Sequence, residues 1–338
     1  MREDLLAKEC PETKEKEIVV EMEALRCLYP KKFVPEKICL RQNLKDEVLV
    51  KLQGCGVCAS NIPIWEGRDW FSYPLDYGAP GHEGWGIVEE IGDNVRDVQV
   101  GDRVCFISNK AFAQYEIVNG KNLVTVPREL NDLYFPGEPL GCAMNIFERS
   151  NIQPGQNVAI VGNGFLGILL VRLCSLAGAR VVALSRRHFA LELAEQFGAS
   201  EVVSMDDHNK VIQHVANLTQ SKGCETVIEA SGHSWPLNIA SEIIANRGRL
   251  IIAGYHQDGN RSINLQQWNW KGIDVINAHE REESKYIEGM KKAVQVICEG
   301  KIDIAPLITH TFPLRETNEA FEIMNSRPDG FLKAVVIP

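Results

Sequence analysis

The chain has 338 residues, 45% of them hydrophobic, and a formal net charge of −9. That length admits two domains with ordinary apolar cores, and the acidic balance argues against binding a phosphate backbone, so no nucleic-acid partner is expected. No apolar run reaches the roughly 18 residues of a membrane span, and residues 1–17 form a charged extension without a signal-peptide apolar region, so a cytoplasmic protein is expected.

Residues 18–127 read as short strands punctuated by glycine and proline, with clear runs at 47–52, at 86–92 and, after the Gly101-Asp102 turn, at 103–106. Such spacing predicts a β-rich, barrel-like domain. Two motifs in it carry chemistry: Gly54-Cys55-Gly56-Val57-Cys58-Ala59-Ser60 and Gly81-His82-Glu83-Gly84. Cys58, His82 and Glu83 offer thiolate, imidazole and carboxylate, and a catalytic zinc takes three protein ligands while keeping a fourth position for water or substrate. A further acid stands in Gly137-Glu138-Pro139-Leu140; Glu138 is either a ligand itself or exchanges with Glu83 as substrate enters. Cys142 is a competing thiolate that can equally pack in the helix beginning there. Singly these residues read as a core thiol, a turn histidine and surface acids; their order gives them weight. The other cysteines lack a secretion signal and read as reduced thiols, with Cys27, Cys39, Cys105, Cys174, Cys224 and Cys298 as small core residues.

After Pro154-Gly155 the pattern becomes strand–helix alternation. Strands are predicted at 157–161, 180–184, 226–229, 249–253 and 273–277, with helices at 165–177, 188–197, 207–220 and 236–245. This gives a doubly wound parallel sheet. Between the first strand and helix lies Gly162-Asn163-Gly164-Phe165-Leu166-Gly167, a dinucleotide loop in its proper context: Gly162 allows the turn, Gly164 lets backbone approach a pyrophosphate, Gly167 lets helix pack on strand. The second strand ends in Ser185-Arg186-Arg187. No carboxylate is available for a ribose 2′-hydroxyl, and two guanidiniums can hold a 2′-phosphate, which favours NADP(H) over NAD(H). From residue 284 one long helix, a turn at Pro306 and a final strand at 333–337 return to the first domain. The expected division is therefore 18–146 with 284–338 as one domain and 147–283 as the cofactor domain.

Taken together, the segments 56–60, 80–86, 101–104 and 137–140 and the glycine loop resemble the medium-chain dehydrogenase/reductase superfamily, in its zinc-dependent alcohol and polyol dehydrogenase branch, over residues 22–338. The resemblance implies a GroES-like β-domain and a Rossmann domain with the active site in the cleft between them. It puts Cys58, His82 and Glu138 on catalytic-zinc ligand positions and Glu83 on the acid beside the ligand histidine. Ser60 falls on the hydroxyl that bonds the substrate oxygen, and Ser185 on a position that is acidic in NAD-specific members. Three departures accompany it. The stretch after Arg103-Val104 has one cysteine, Cys105, where the family usually carries four for a structural zinc, so one zinc per chain is expected. Asn61 replaces the acid that orients the ligand histidine. Pro63 replaces the histidine that commonly ends the proton relay, so His256, in Gly254-Tyr255-His256-Gln257, and His279 become candidates for that task.

The expected function is a zinc-dependent oxidoreductase moving a hydride between a nicotinamide cofactor and a secondary alcohol or ketone. Trp65, Trp70, Phe71 and Tyr73, with the segment Gln266-Gln267-Trp268-Asn269-Trp270, suggest a lining for a sugar, cyclitol or polyol. Two rivals stand beside it: a zinc-free reductase acting on quinones or activated alkenes, and a non-catalytic NADP-binding module. The edge strand at 273–277 suggests a homodimer or homotetramer.

Overall fold

The computed structural model describes residues 21–41, 45–257 and 259–338; the extension 1–17 lies outside them. The chain opens with an antiparallel hairpin, β1 (Glu21–Tyr29) and β2 (Lys32–Cys39). Then come β3 (Glu47–Val57), the short helix α1 (Ile62–Glu66), β4 (Glu83–Ile91), β5 (Arg103–Phe106), β6 (Tyr115–Asn119) and β7 (Leu123–Thr125). The 14-residue helix α2 (Gly137–Ser150) leads into β8 (Asn157–Val161), α3 (Phe165–Leu176), β9 (Arg180–Ser185), α4 (His188–Gln196) and β10 (Glu201–Ser204). Next are α5 (His208–Leu218), β11 (Cys224–Glu229), α6 (Ser234–Ile243), β12 (Ile244–Ile252), α7 (Leu265–Lys271) and β13 (Asp274–Asn277). The tail holds α8 (Glu283–Cys298), β14 (His310–Pro313), α9 (Thr317–Ser326) and β15 (Ala334–Ile337).

Two large sheets result. In the six-stranded sheet the order is β10-β9-β8-β11-β12-β13, every pair parallel. The order reverses between β8 and β11, and ligands of such sheets bind outside the strand carboxyl ends at that switch point. Val158, Ile160, Val181 and Ala183 are fully buried on one face, Ala159, Val161 and Val182 on the other, as near-continuous apolar strands covered on both sides require. The seven-stranded sheet runs β14-β15-β3-β4-β5-β7, with β6 also on β3. Strand β3 is therefore central: its first half pairs with β6 and its second half with β15, placing the C-terminus beside Cys55–Val57.

One core cluster joins the two sheets. Trp85 and Cys105 from the β-rich part pack with Leu140 and Met144 of α2, Ile168 of α3 and Met290 of α8. The predicted core role holds for Cys27, Cys105, Cys174 and Cys224, which are buried with free thiols. It fails for Cys298 and Cys39: both are exposed, and Cys39 is disulfide-bonded. Each ends an element rather than facing its core.

Candidate active site

Cys58 follows the last residue of β3 and His82 precedes the first residue of β4, so the antiparallel β3–β4 register (Gly56 opposite Glu83) brings the two motifs together. The metal-binding atoms of Cys58, His82 and Glu83 all lie within 4.8 Å of one another. Gly56 is required there: a Cβ on it would stand 1.8 Å from Glu83 Oε2. Ser60 is the middle residue of the short turn after β3 and donates to Cys58 Sγ at 3.2 Å.

The imidazole of His82 is held from behind. Its Nδ1 lies 3.1 Å from the Pro80 carbonyl, which also accepts from Asn61 Nδ2 at 2.9 Å. An Nδ1–H donating to Pro80 makes Nε2 the nitrogen a metal ion would take, in exchange for its proton. Asn61, which stands in place of the orienting acid, turns its Nδ2 towards His82 Nδ1 at 3.3 Å, and the Pro80 carbonyl takes the orienting role. Burial disfavours a charged imidazole here, yet the hydrogen bond with Cys58 and the charges of Cys58, Glu138 and Glu83 raise its pKa to about 10. A pocket that holds a proton against burial carries an excess of negative donors and is suited to a cation.

Glu83 is fully buried and committed to Lys333, whose Nζ lies 2.7 Å from Oε1 and 2.6 Å from Oε2. Burial opposes the ammonium charge; Glu83 first, then Cys58, reverse that and raise the Lys333 pKa. The same Nζ lies 5.2 Å from the Phe165 ring centroid, tying the start of α3 to the donor cluster. Glu83 therefore reaches the donor cluster already paired, and a metal ion there would share its carboxylate with Lys333. Glu138, in the first turn of α2, stands outside the 4.8 Å group. Burial raises its pKa, His82 opposes that and Glu83 adds to it, and Cys142 Sγ donates to its Oε1 at 3.2 Å. Burial first and Glu138 second raise the Cys142 thiol's pKa well above its usual value. Cys142 thus meets the donor set through Glu138.

At the cofactor side Gly162 has φ +103° and Gly167 packs so closely that a Cβ would stand 2.1 Å from the Gly162 carbonyl, while nothing lies within 4 Å of a Cβ on Gly164. The loop has its tight turn, its close helix–strand contact and an open face, which fits a diphosphate at the N-terminus of α3. Phe165 is buried and Leu166 half-buried, so both face the core and offer the open side only their backbone. Ser185 is also buried, its Oγ accepting from Arg187 N at 3.2 Å. Arg186 is exposed. Arg187 bonds the Phe331 and Asn163 carbonyls, a strut between the C-terminal segment and the glycine loop that spacing alone did not reveal. Gly254 N bonds the Glu229 carbonyl at 2.8 Å, above the switch point.

A cavity of about 540 Å³ has Ser60, Pro63, Trp70 and Phe71 on one wall and Tyr255, His256 and Gln257 on the other. His256 reaches the cleft but is occupied at both nitrogens: Nε2 pairs with Glu229 Oε2 at 2.9 Å, and Nδ1 accepts from Arg261 Nε at 2.9 Å. Its two partners are thus Glu229 and Arg261. His279 is exposed and stacks on Tyr255, 5.7 Å between centroids. Of the aromatics expected to line a pocket, Trp65 is in the core against Phe321 and Tyr73 donates to the Ile64 carbonyl. The segment 266–270 falls in α7, away from the cleft; Trp268 packs on the parallel sheet and Trp270 is 90% exposed. Lys333 was missed entirely, being 250 residues from its partner.

Comparison with known proteins agrees with this construction. Residues 44–143 match the alcohol dehydrogenase GroES-like domain, and residues 166–295 the zinc-binding dehydrogenase domain. The chain is 29% identical to L-threonine 3-dehydrogenase of Bacillus subtilis (strain 168), covering 87% of this chain and 92% of that protein. It is 25% identical to D-arabinitol dehydrogenase 1 of Uromyces fabae over 83% of this chain and 88% of that one. Among solved structures, a zinc-binding dehydrogenase of Sinorhizobium meliloti 1021 bound to NADP shares the fold at TM-score 0.82 with 24% identity, covering 94% of this chain and all of that one. The 2R,3R-butanediol dehydrogenase of Bacillus subtilis does so at 0.79 with 22% identity, covering 94% and 99%. With both domain models matched in the order and place the two sheets require, the chain belongs to the zinc-dependent medium-chain dehydrogenase/reductase superfamily.

Proposed function

We propose that the chain is a zinc-dependent oxidoreductase that transfers a hydride between NADP(H) and the carbinol carbon of a polar secondary alcohol, or the corresponding ketone. The observation that carries this reading is the convergence of Cys58, His82 and Glu83 donors within 4.8 Å, beside a cleft that Ser60 also lines. Cys58 and His82 would hold the metal with one carboxylate, either that of Glu83, shared with Lys333, or that of Glu138 from just outside the group. Zinc bound there makes an alcohol hydroxyl more acidic and polarises a carbonyl.

The chain's own residues supply the rest. Ser60 Oγ, near Cys58, is placed to accept the substrate's hydroxyl proton. As Ser60 takes that proton it would release its own to water in the cleft, since Pro63 stands beside it and His256 is engaged with Glu229 and Arg261. The exposed Arg186 favours the cofactor with a 2′-phosphate, while Arg187 serves as a strut, and the Sinorhizobium neighbour bound to NADP supports that choice. The relatives named for threonine and arabinitol support a hydroxyl flanked by other polar groups, consistent with the sugar, cyclitol or polyol suggested by sequence. We further infer a dimer through the edge strand β13, where Val275 and nearby Trp270 are exposed.

Cys58→Ala tests the reading. It should lose both bound zinc and turnover on a panel of polyols and hydroxy amino acids with NADP and NAD. A zinc-free variant with full activity would contradict it.

A further inference from the structure

Glu229, the last residue of β11, is fully buried at the carboxyl end of the parallel sheet. A buried carboxylate persists only when donors surround it. Its Oε1 accepts from Ser231 N at 2.8 Å, from Gly232 N at 2.9 Å and from the Ser231 hydroxyl. Its Oε2 takes His256 Nε2 at 2.9 Å. A cation stands one step further out: Arg261 Nε reaches His256 Nδ1 at 2.9 Å, and Arg261 Nη2 donates to the Gly232 carbonyl at 3.1 Å. A guanidinium can only donate, so Nδ1 accepts and the Nε2–H points at Glu229. The three side chains close a ring on Gly232, with Glu229 on its N–H, Arg261 on its carbonyl and His256 between them.

This clasp joins two segments. One is the turn at 230–232 after β11. The other, after β12, carries Tyr255, His256 and Gln257, the wall of the cleft opposite Ser60. The two meet backbone to backbone at their bases: Ala253 N and Gly254 N both bond the Glu229 carbonyl at 2.8 Å, and a Cβ on Gly254 would stand 2.3 Å from Gly232 N. Beyond Gly254 that support ends. Among the described residues, Tyr255, His256 and Gln257 make no main-chain to main-chain hydrogen bond. The His256 side chain is therefore the hydrogen-bonded anchor of this wall, beside the stacking of Tyr255 on His279.

We propose that His256, clasped between Glu229 and Arg261, is a positioning residue that sets the Tyr255–Gln257 wall and through it the affinity for the alcohol. The inference rests on the oxidoreductase reading above. Ser60, Cys58 and His82 belong to the β3–β4 side of the cleft, and none of the clasp's bonds reaches them. The clasp thus acts on substrate binding and leaves the hydride step to the other wall.

Two readouts on the full chain test it. One is steady-state kinetics with NADP and whichever polyol or hydroxy amino acid of the panel is turned over fastest. The other is hydrogen–deuterium exchange of peptides covering 253–257. His256→Ala should raise KM for the alcohol by about tenfold while kcat changes by less than about threefold, and deuterium uptake over 253–257 should rise. Arg261→Leu leaves Glu229 and His256 paired, so it should fold even where His256→Ala does not, and should show a smaller rise in both readouts. His256→Gln keeps a donor and an acceptor in one side chain and should bring both back towards wild type. A wild-type KM in His256→Ala would overturn the proposal, as would unchanged uptake. A fall in kcat with KM unmoved would also overturn it, making His256 a catalytic residue. An unaltered chain that oxidises no alcohol of the panel would overturn the oxidoreductase reading and the substrate role with it, while the exchange result would still decide whether His256 holds the wall.

Discussion

Two buried acids in the β-rich part show how differently one side-chain type can be used. Glu83 is ion-paired with Lys333 at 2.6 Å, both nearly inaccessible. Breaking such a pair leaves an uncompensated charge, so Lys333→Met should destabilise the protein by about 3 kcal/mol in urea unfolding, and adding Glu83→Gln should restore much of the loss. Glu116 has no cation of that kind: burial pushes its pKa up to about 8 against a hydrogen bond from Ser108. Its folded-state pKa lies above the unfolded value, so the native state holds a proton that the unfolded chain releases. Stability from this group must therefore fall as pH rises from about 4.5 towards 8. Glu116→Gln should match the wild-type Tm near the bottom of that window and exceed it above the top; equal Tm differences at both ends would show that Glu116 does not titrate there. Local motifs announced the donor residues, since Cys58 and Ser60, or His82 and Glu83, sit within a few positions. Lys333 and Arg187 were not legible, because their roles come from partners far away in the chain.

The elements were readable where period and punctuation agree. The alternation of β8, α3, β9 and α4 was predicted to within a residue or two, because apolar strands there are bounded by glycines at 162, 178 and 198 with positive φ. Helices α7 and α9 and strand β10 went unread: α7 and α9 are short and polar, and β10 has four residues with one buried. The glycine loop makes a prediction of its own. Gly164 has φ −83° and open space around a Cβ, so Gly164→Ala should fold with unchanged Tm yet bind dinucleotide about tenfold more weakly. Gly167→Ala would press a methyl to 2.1 Å from the Gly162 carbonyl, and should lower Tm even without cofactor. Equal effects from both substitutions would argue that the loop's open face has no ligand.

At the scale of the whole molecule, the design is a long-range closure. The C-terminal strand β15 returns to β3 and delivers Lys333 to Glu83, while the loop before it is tied by Arg187 to the glycine loop, so donor cluster and cofactor loop are set by one segment. The open edge of β13 offers the parallel sheet a two-fold continuation; Val275→Lys with Trp270→Glu should shift light scattering from dimer towards monomer, and an unaltered chain already monomeric would refute the dimer. The central claim remains the metal. Metal content of purified, chelator-free protein, determined by inductively coupled plasma mass spectrometry, addresses it most directly. About one zinc per chain, lost in Cys58→Ala, is the predicted result; protein free of zinc would contradict the account and favour the zinc-free reductase.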